Sequence, residues 1–268
     1  MKHKAVPDVQ QPWRQFVVGY LQLLLANARD AHRRLDSREP ETVHQFRVAV
    51  RRLHTWLSLP GLLPLPDQKL LKGLKRYIKV TNAFRDADVQ NQWMKQHGYS
   101  ECPHRKTAPF PAGWHRLAHR LDLVITAAGK AGDGGLNESF ACRAACVLQV
   151  LSDAFAASLR EIVDVTDDRH MHRSRIWGKR LRYLLEPFTA SDERAACVVQ
   201  QLVLFQDCTG MLHDLAMMRE QLLPEDVARM AIEQEMQEQY RDFSHDYLQG
   251  SSGLLQELAL LIEQLKGV

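Results

Sequence analysis

The feature that most constrains the fold is an internal repeat. Aligned with itself at an offset of 128 residues, the chain places VHQFRVAVRRLH (43–54) on MHRSRIWGKRLR (171–182). His44 meets His172, Arg47 meets Arg175, Arg52 meets Arg180 and Leu53 meets Leu181. Arg51 meets Lys179 and His54 meets Arg182. The same offset, without a gap, brings Thr81 onto Thr209 and Arg85-Asp86 onto His213-Asp214. Two matched blocks at one spacing predict two copies of one helical unit, joined near residues 129–135.

The periodicity is helical nearly throughout, and period-two alternation is almost absent. Breaks fall at residues 37–40, 60–66, 97–111, 129–135, 165–168, 187–191 and 224, which predicts about eight helices. A further break at 250–253 divides the last of them. Asp67, Asn137, Asp168 and Ser191 stand where helix caps are expected. Short loops between long amphipathic helices favour antiparallel neighbours, so the expected fold is all-α. The expected organisation is two four-helix bundles related by internal duplication, over residues 10–130 and 136–268. The 268 residues are 45% hydrophobic, enough to bury a real core and too apolar for a disordered chain. No run approaches the roughly 20 uninterrupted apolar residues of a membrane span. The basic start MKHKAVPDVQQPWRQF lacks an apolar stretch of signal-peptide length behind it. A soluble, cytoplasmic protein is expected, with no membrane partner.

Placed on a helical wheel, Phe46, Val50, Leu53 and Leu57 form one stripe that should pack inward. His44, Arg47, Arg51 and His54 form a second stripe about 100° away, some 15 Å long at the helical rise. His172, Arg175, Lys179 and Arg182 repeat it, while Leu181 and Leu185 look inward. A third stripe, Lys72, Lys75, Arg76 and Lys79, follows i, i+3, i+4, i+7, with Leu70, Leu71, Leu74 and Ile78 on the apolar side. Its counterparts at +128 are Gln200, Val203, Leu204 and Asp207, so this stripe is not repeated.

Net charge is only +3, but it is uneven. Residues 224–268 contain nine Asp/Glu and three Lys/Arg, a net of −6, which leaves +9 on the rest. Rows of like charge on one helix face repel each other unless something neutralises them. No acidic residue lies within 43–57, and none lies between Arg169 and Leu185. Cation rows kept at the same phase in both blocks point to an external polyanion. Arg forks onto phosphate oxygens, Lys adds a compact charge, and His gains charge as its pKa rises beside a bound phosphate. A phosphate chain or a nucleic-acid backbone is therefore the expected ligand.

The paired blocks, with RDAD at 85–88 and FQDCTGMLHDLA at 205–216, resemble the conserved-histidine α-helical (CHAD) domain. The resemblance runs from about residue 12 to about residue 223 by motif, and it extends to the C-terminus by helix pattern. It implies two four-helix bundles related by a pseudo-twofold axis across a basic cleft. It also implies binding of inorganic polyphosphate without chemistry, cofactor or metal. Family members are associated with polyphosphate granules or fused to a triphosphate-tunnel phosphatase. The implied ligand residues are His44, Arg47, Arg51 and Arg52 in the first block and His172, Arg175, Lys179, Arg180 and Arg182 in the second. His54, Lys72, Lys75, Arg76 and Lys79 join them from the wheel. His54 stands where the family usually has Arg. Trp177 and Gly178 interrupt a stretch that is usually smaller or more helix-favouring, and a bend there is expected.

Other features have local explanations. Asp86, Asp88 and Asp214 are expected to pair with Arg side chains or helix ends rather than to hold a metal. Tyr183 is either a phosphate donor or core packing at a seam. His115, Arg116, His119 and Arg120 are read as an exposed face or rim. Cys142 and Cys146, at i and i+4, are read as buried free thiols rather than metal ligands. No P-loop and no ExExK strand signature is present, which argues against an enzyme acting on phosphate chains. Nucleic-acid backbone binding is the second reading, though stacking aromatics and recognised motifs are lacking. An accessory role beside a polyphosphate-acting enzyme is the third.

Overall fold

The structure, a computed structural model, describes residues 6–62, 67–99, 109–130, 138–222, 226–249 and 253–267, with backbone alone at 83 and 85–88. Nine α-helices and no strand run through the described residues. They are α1 (Trp13–Arg33), α2 (Pro40–Leu57), α3 (Gln68–Gln96), α4 (Trp114–Lys130), α5 (Phe140–Arg160), α6 (Asp168–Leu185), α7 (Glu193–Arg219), α8 (Val227–Phe243) and α9 (Gly253–Lys266). Helix α6 begins and ends 128 residues after α2. Residues 136–268, expected to hold four helices, contain α5 to α9; the break expected near 250 separates α8 from α9.

The chain divides into two units, Met1–Asn91 with Cys102–Arg143, and Gln92–Glu101 with Ala144–Val268. In the first, α1 packs on α2 and α4. Its core is aromatic: Phe16 stacks on Phe140 with ring centroids 3.8 Å apart, Tyr20 meets Trp56, and Phe46 meets Tyr77 and Trp114 edge-on. The opening turn of α5 belongs to this unit because the segment before α1 holds it. Phe140 N donates to Gln11 O, Ala141 N to Val9 O, and Trp13 N to Glu138 O, at 2.9, 3.0 and 2.9 Å. The end of α3 belongs to the second unit, where Trp93 Nε1 donates to Glu235 of α8 at 2.9 Å.

In the second unit α7 packs on α6, α8 and α9. The acidic segment is thus not a loose tail. Ile232, Met236 and Phe243 of α8, and Leu254, Leu258, Leu261 and Leu265 of α9, are all buried. Their burial fixes both helices on α7. Between them, Gln249 N closes one i→i+5 turn onto Ser244 O. Helices α5 and α7 are long and apolar enough to cross a bilayer by length and composition alone, yet Phe155, Leu202 and Phe205 are fully buried within this unit.

Local details depart from the sequence expectations. Asp167, not Asp168, caps α6 by accepting from His170 N, and Asp192, not Ser191, caps α7 by accepting from Ala195 N. Asp167 already lies outside the helical turn, so its carboxylate is the one that reaches the free N–H groups. Asn137 lies outside the described residues; Ser139 Oγ accepts from Cys142 N at the start of α5. Asp67 accepts from Lys69 N at the start of α3, as expected. The thiols are free, but Cys142 is only half-buried and Cys146 is exposed, because both sit off the apolar stripe of α5. Half-buried Cys208 has its thiol pushed up to about 11 by burial, with Asp246 and Asp242 adding to the effect.

Helix α6 runs unbroken through Trp177 and Gly178, where a bend was expected. A Cβ at Gly178 would lie 3.1 Å from Phe205 Cε1 and 3.5 Å from Phe155 Cε2. The glycine is what lets α6 settle against those two rings. Gly178→Val, which installs the residue found at position 50, should therefore destabilise the second unit by about 1–3 kcal/mol. Its gain in helix propensity, under about 1 kcal/mol, is too small to offset the clash. Denaturant unfolding of the two proteins measures the difference.

The imidazole of His32 lies about 5.4 Å from the rings of Phe46 and Trp114, with His115 at 5.5 Å. Burial, and then repulsion from His115, hold its pKa below the ordinary 6.5. The unfolded chain therefore takes up this proton first as pH falls. The resulting stability is present above the ordinary value and is lost as pH drops through it toward the folded value. His32→Phe should lose less Tm between about pH 7.5 and about pH 5.5 than the parent protein does.

Candidate anion-binding site

In α2, burial of Val43, Phe46, Val50, Leu53, Trp56 and Leu57 sets the helix phase. That phase leaves His44 exposed, Arg47 only 9% exposed, and Arg51, Arg52 and His54 half-buried. Arg47 Nη2 lies 3.4 Å from His44 Nδ1. Both line a pocket of about 360 Å³ with Ser37, Arg38, Glu41 and Thr81. Two of the charges there are engaged nearby. Arg38 donates to Asp36 at 2.8 Å, and its guanidinium holds the Asp36 carboxyl down to about 2. Glu41 accepts from Gln45 Nε2 at 3.0 Å. Glu39, at the N-cap, makes no side-chain capping bond, and Pro40 follows at N1.

Farther along α2, Arg51 Nη2 donates to Asn82 Oδ1 of α3 at 2.6 Å. Asn82 lies three residues after Lys79 and seven after Lys75, so all three share a face of α3. Lys72, Lys75, Arg76 and Lys79 are all exposed, and Leu70, Leu71, Leu74 and Tyr77 turn inward. The Arg51–Asn82 bond therefore brings the second and third basic stripes alongside each other in the first unit.

The +128 positions on α6 are placed similarly and surrounded differently. His172 is exposed, and Arg175, Lys179, Arg180 and Arg182 are half-buried. Asp168, His172, Arg175, Thr209 and His213 line a space of only about 10 Å³. Gly210 is the reason. A Cβ there would meet Arg175 Nη2 at 2.9 Å, so the guanidinium lies directly against the α7 backbone. In the first unit this position is Asn82. Asp168 contributes a carboxyl where α2 has Pro40. Its pKa is raised by burial, against the opposing pull of Arg219 and His213. Thr209 and Thr81 are both buried, and each hydroxyl donates back to the i−4 carbonyl, of Phe205 at 2.8 Å and of Tyr77 at 3.1 Å.

Not every expected ligand residue joins these faces. Arg180 stacks over Trp177 at 4.6 Å, and burial lowers its pKa. Arg182 lies over the Tyr183 ring at 4.7 Å and 3.7 Å from Glu186. Tyr183 is buried, which favours its packing role. His54 accepts the Ser58 hydroxyl at its backbone carbonyl. His115, Arg116, His119 and Arg120 are exposed. The side chains of Asp86 and Asp88 lie outside the described residues. Among the described residues no group of His, Cys, Asp and Glu could hold a metal. Sequence reasoning missed Asn82, Gly210 and Asp168. The +128 alignment pairs Asn82 with Gly210 and so carried a signal, but a mismatch does not announce a contact.

The fold and these faces define a wholly α-helical protein that carries one histidine–arginine motif in each of two units. The chain belongs to the CHAD domain family, whose model matches residues 19–223. It is similar in fold to the crystal structure of the CHAD domain from the plant Ricinus communis. The two share 20% sequence identity over 98% of this chain and 96% of that one, with a TM-score of 0.65. Among curated proteins none matches the chain.

Removing the amide that receives Arg51 should loosen the junction of α2 and α3. Asn82→Ala is expected to cost about 1–2 kcal/mol, the worth of a hydrogen bond to a charged group. A drop in Tm with unchanged helicity checks it.

Proposed function

We propose that the protein binds inorganic polyphosphate and carries out no reaction on it. The observation that carries this reading is the junction in the first unit. There the pocket holding His44 and Arg47 leads along α2 to Arg51, which is bonded beside the exposed row Lys75 and Lys79 of α3. Forked guanidinium donors, an imidazole and flexible ammonium groups in one track suit tetrahedral, multiply charged groups in sequence. Arg52, His54, Lys72 and Arg76 flank this track. His172, Arg175, Lys179, Arg180 and Arg182 are the proposed second set. We take the two units for copies of one ancestral unit; the shared bounds of α2 and α6 at 128 residues support this. A cytoplasmic location, with recruitment to polyphosphate granules, goes with the same reading.

The exposed α3 row would also accept a nucleic-acid backbone, so competition decides between the two. Labelled long-chain polyphosphate is followed by fluorescence anisotropy at about 150 mM salt, with unlabelled polyphosphate and RNA as competitors. Polyphosphate should displace the probe at lower phosphate concentration than RNA does. Displacement by RNA at equal or lower concentration would sink the proposal. Affinity should fall steeply and log-linearly with salt, because several phosphates are neutralised together.

A further inference from the structure

We propose that the two histidine–arginine motifs are not equivalent: the pocket at the start of α2 takes a phosphoryl group of the chain, whereas its α6 counterpart is filled by its own side chains. This rests on the phosphate reading above and assigns the ligand contact to one of two sequence-matched places.

Three differences carry it. The first is space. The pocket holding His44 and Arg47 measures about 360 Å³, and the matching one holding His172 and Arg175 about 10 Å³. The smaller is at the lower limit for one water molecule. The second is what sits opposite the arginine. Gly210 has no side chain, so Arg175 lies against α7 and occupies the room its own motif would offer. At the matching position Asn82 has a side chain, and that side chain engages Arg51. The third is charge. Asp168 lines the α6 pocket where the α2 pocket has Pro40, so an incoming phosphate would meet a carboxyl in one and an apolar ring in the other. The N-terminus of α6 is likewise capped by Asp167, while that of α2 carries no side-chain cap. Like charge and absent volume each exclude an anion from the second pocket.

The first test is paired substitution. Arg47→Gln should weaken binding of tripolyphosphate at least about tenfold, the worth of a charged hydrogen bond. Arg175→Gln should change it less than about twofold. Equal losses, or a larger loss at Arg175, overturn the inference.

Arg47 is buried, so a second measurement uses the intact protein. Histidine ring resonances are followed by NMR during titration with tripolyphosphate. The exposed-site variants His44→Gln and His172→Gln supply the assignments. The His44 resonance should shift and that of His172 should stay in place. Movement of both, or of neither, overturns the inference while long-chain polyphosphate still binds. Loss of polyphosphate binding by the parent protein overturns the function itself. Orthophosphate should act at least about tenfold more weakly than tripolyphosphate, since it reaches only the pocket and not the track beyond it. Equal potency of orthophosphate would take the chain out of the proposal.

Discussion

Helix phase governs the rest of this structure. Burying Val43, Phe46, Val50, Leu53 and Leu57 against the first core leaves α2 one rotation about its axis, and α6 is fixed likewise by Met171, Leu181, Leu184 and Leu185. Once the apolar stripe is down, the angular positions of His44, Arg47 and Arg51 follow from the 3.6-residue period. Moving the stripe by one residue would turn the basic face by about 100° and separate Arg51 from Asn82. The apolar core thus determines where the cations point, although no cation contributes to that core except the stem of Arg47.

This coupling explains how much of the protein could be read from residues alone. Periodicity and the 128-residue repeat place the helices, and the bounds of α2 and α6 agree with them at both ends. The inward stripes Phe46–Leu57 and Leu70–Leu74 are equally legible, because burial is decided by the pattern of one helix. Caps were legible to within one residue. Asp167 and Asp168, or Ser191 and Asp192, are adjacent polar residues, and only the φ, ψ of the turn selects between them. The spread of charge was readable as well, but not its structural meaning. An acidic end that looks like a detachable tail is two core helices, since Ile232 and Leu258 recur at core spacing on α8 and α9.

What stayed hidden depends on two helices at once. The depth of a pocket is set by a residue on the facing helix, and a single-helix wheel is blind to it. Gly210 and Asn82 align at the repeat offset and look like an unremarkable mismatch. In three dimensions that mismatch decides whether an arginine folds back onto its neighbour or stands beside open space. Gly178 shows the same limit. Judged by propensity it is a helix-breaker, but its missing side chain is what brings α6 onto Phe205 and Phe155. Small residues in a helix are ambiguous until the partner surface is known.

The way the cations are held also matters for the field they produce. A carboxylate partner fixes an arginine and cancels its charge, whereas a neutral partner fixes it and leaves the charge in place. Arg51 is held by the Asn82 amide and Arg180 by the Trp177 indole. Arg38 by contrast is neutralised by Asp36, and Arg182 is tempered by Glu186 at 3.7 Å. Amide and aromatic partners therefore keep selected guanidinium groups in position, at little entropic cost, without discharging them. The rows on α2 and α3 keep their positive potential in the absence of any ligand. A phosphate chain arriving at that face would find donors already ordered and would not first have to displace a carboxylate. In the α6 pocket Asp168 performs that displacement in advance. The difference between the two motifs is thus one of charge accounting at fixed geometry, not of fold.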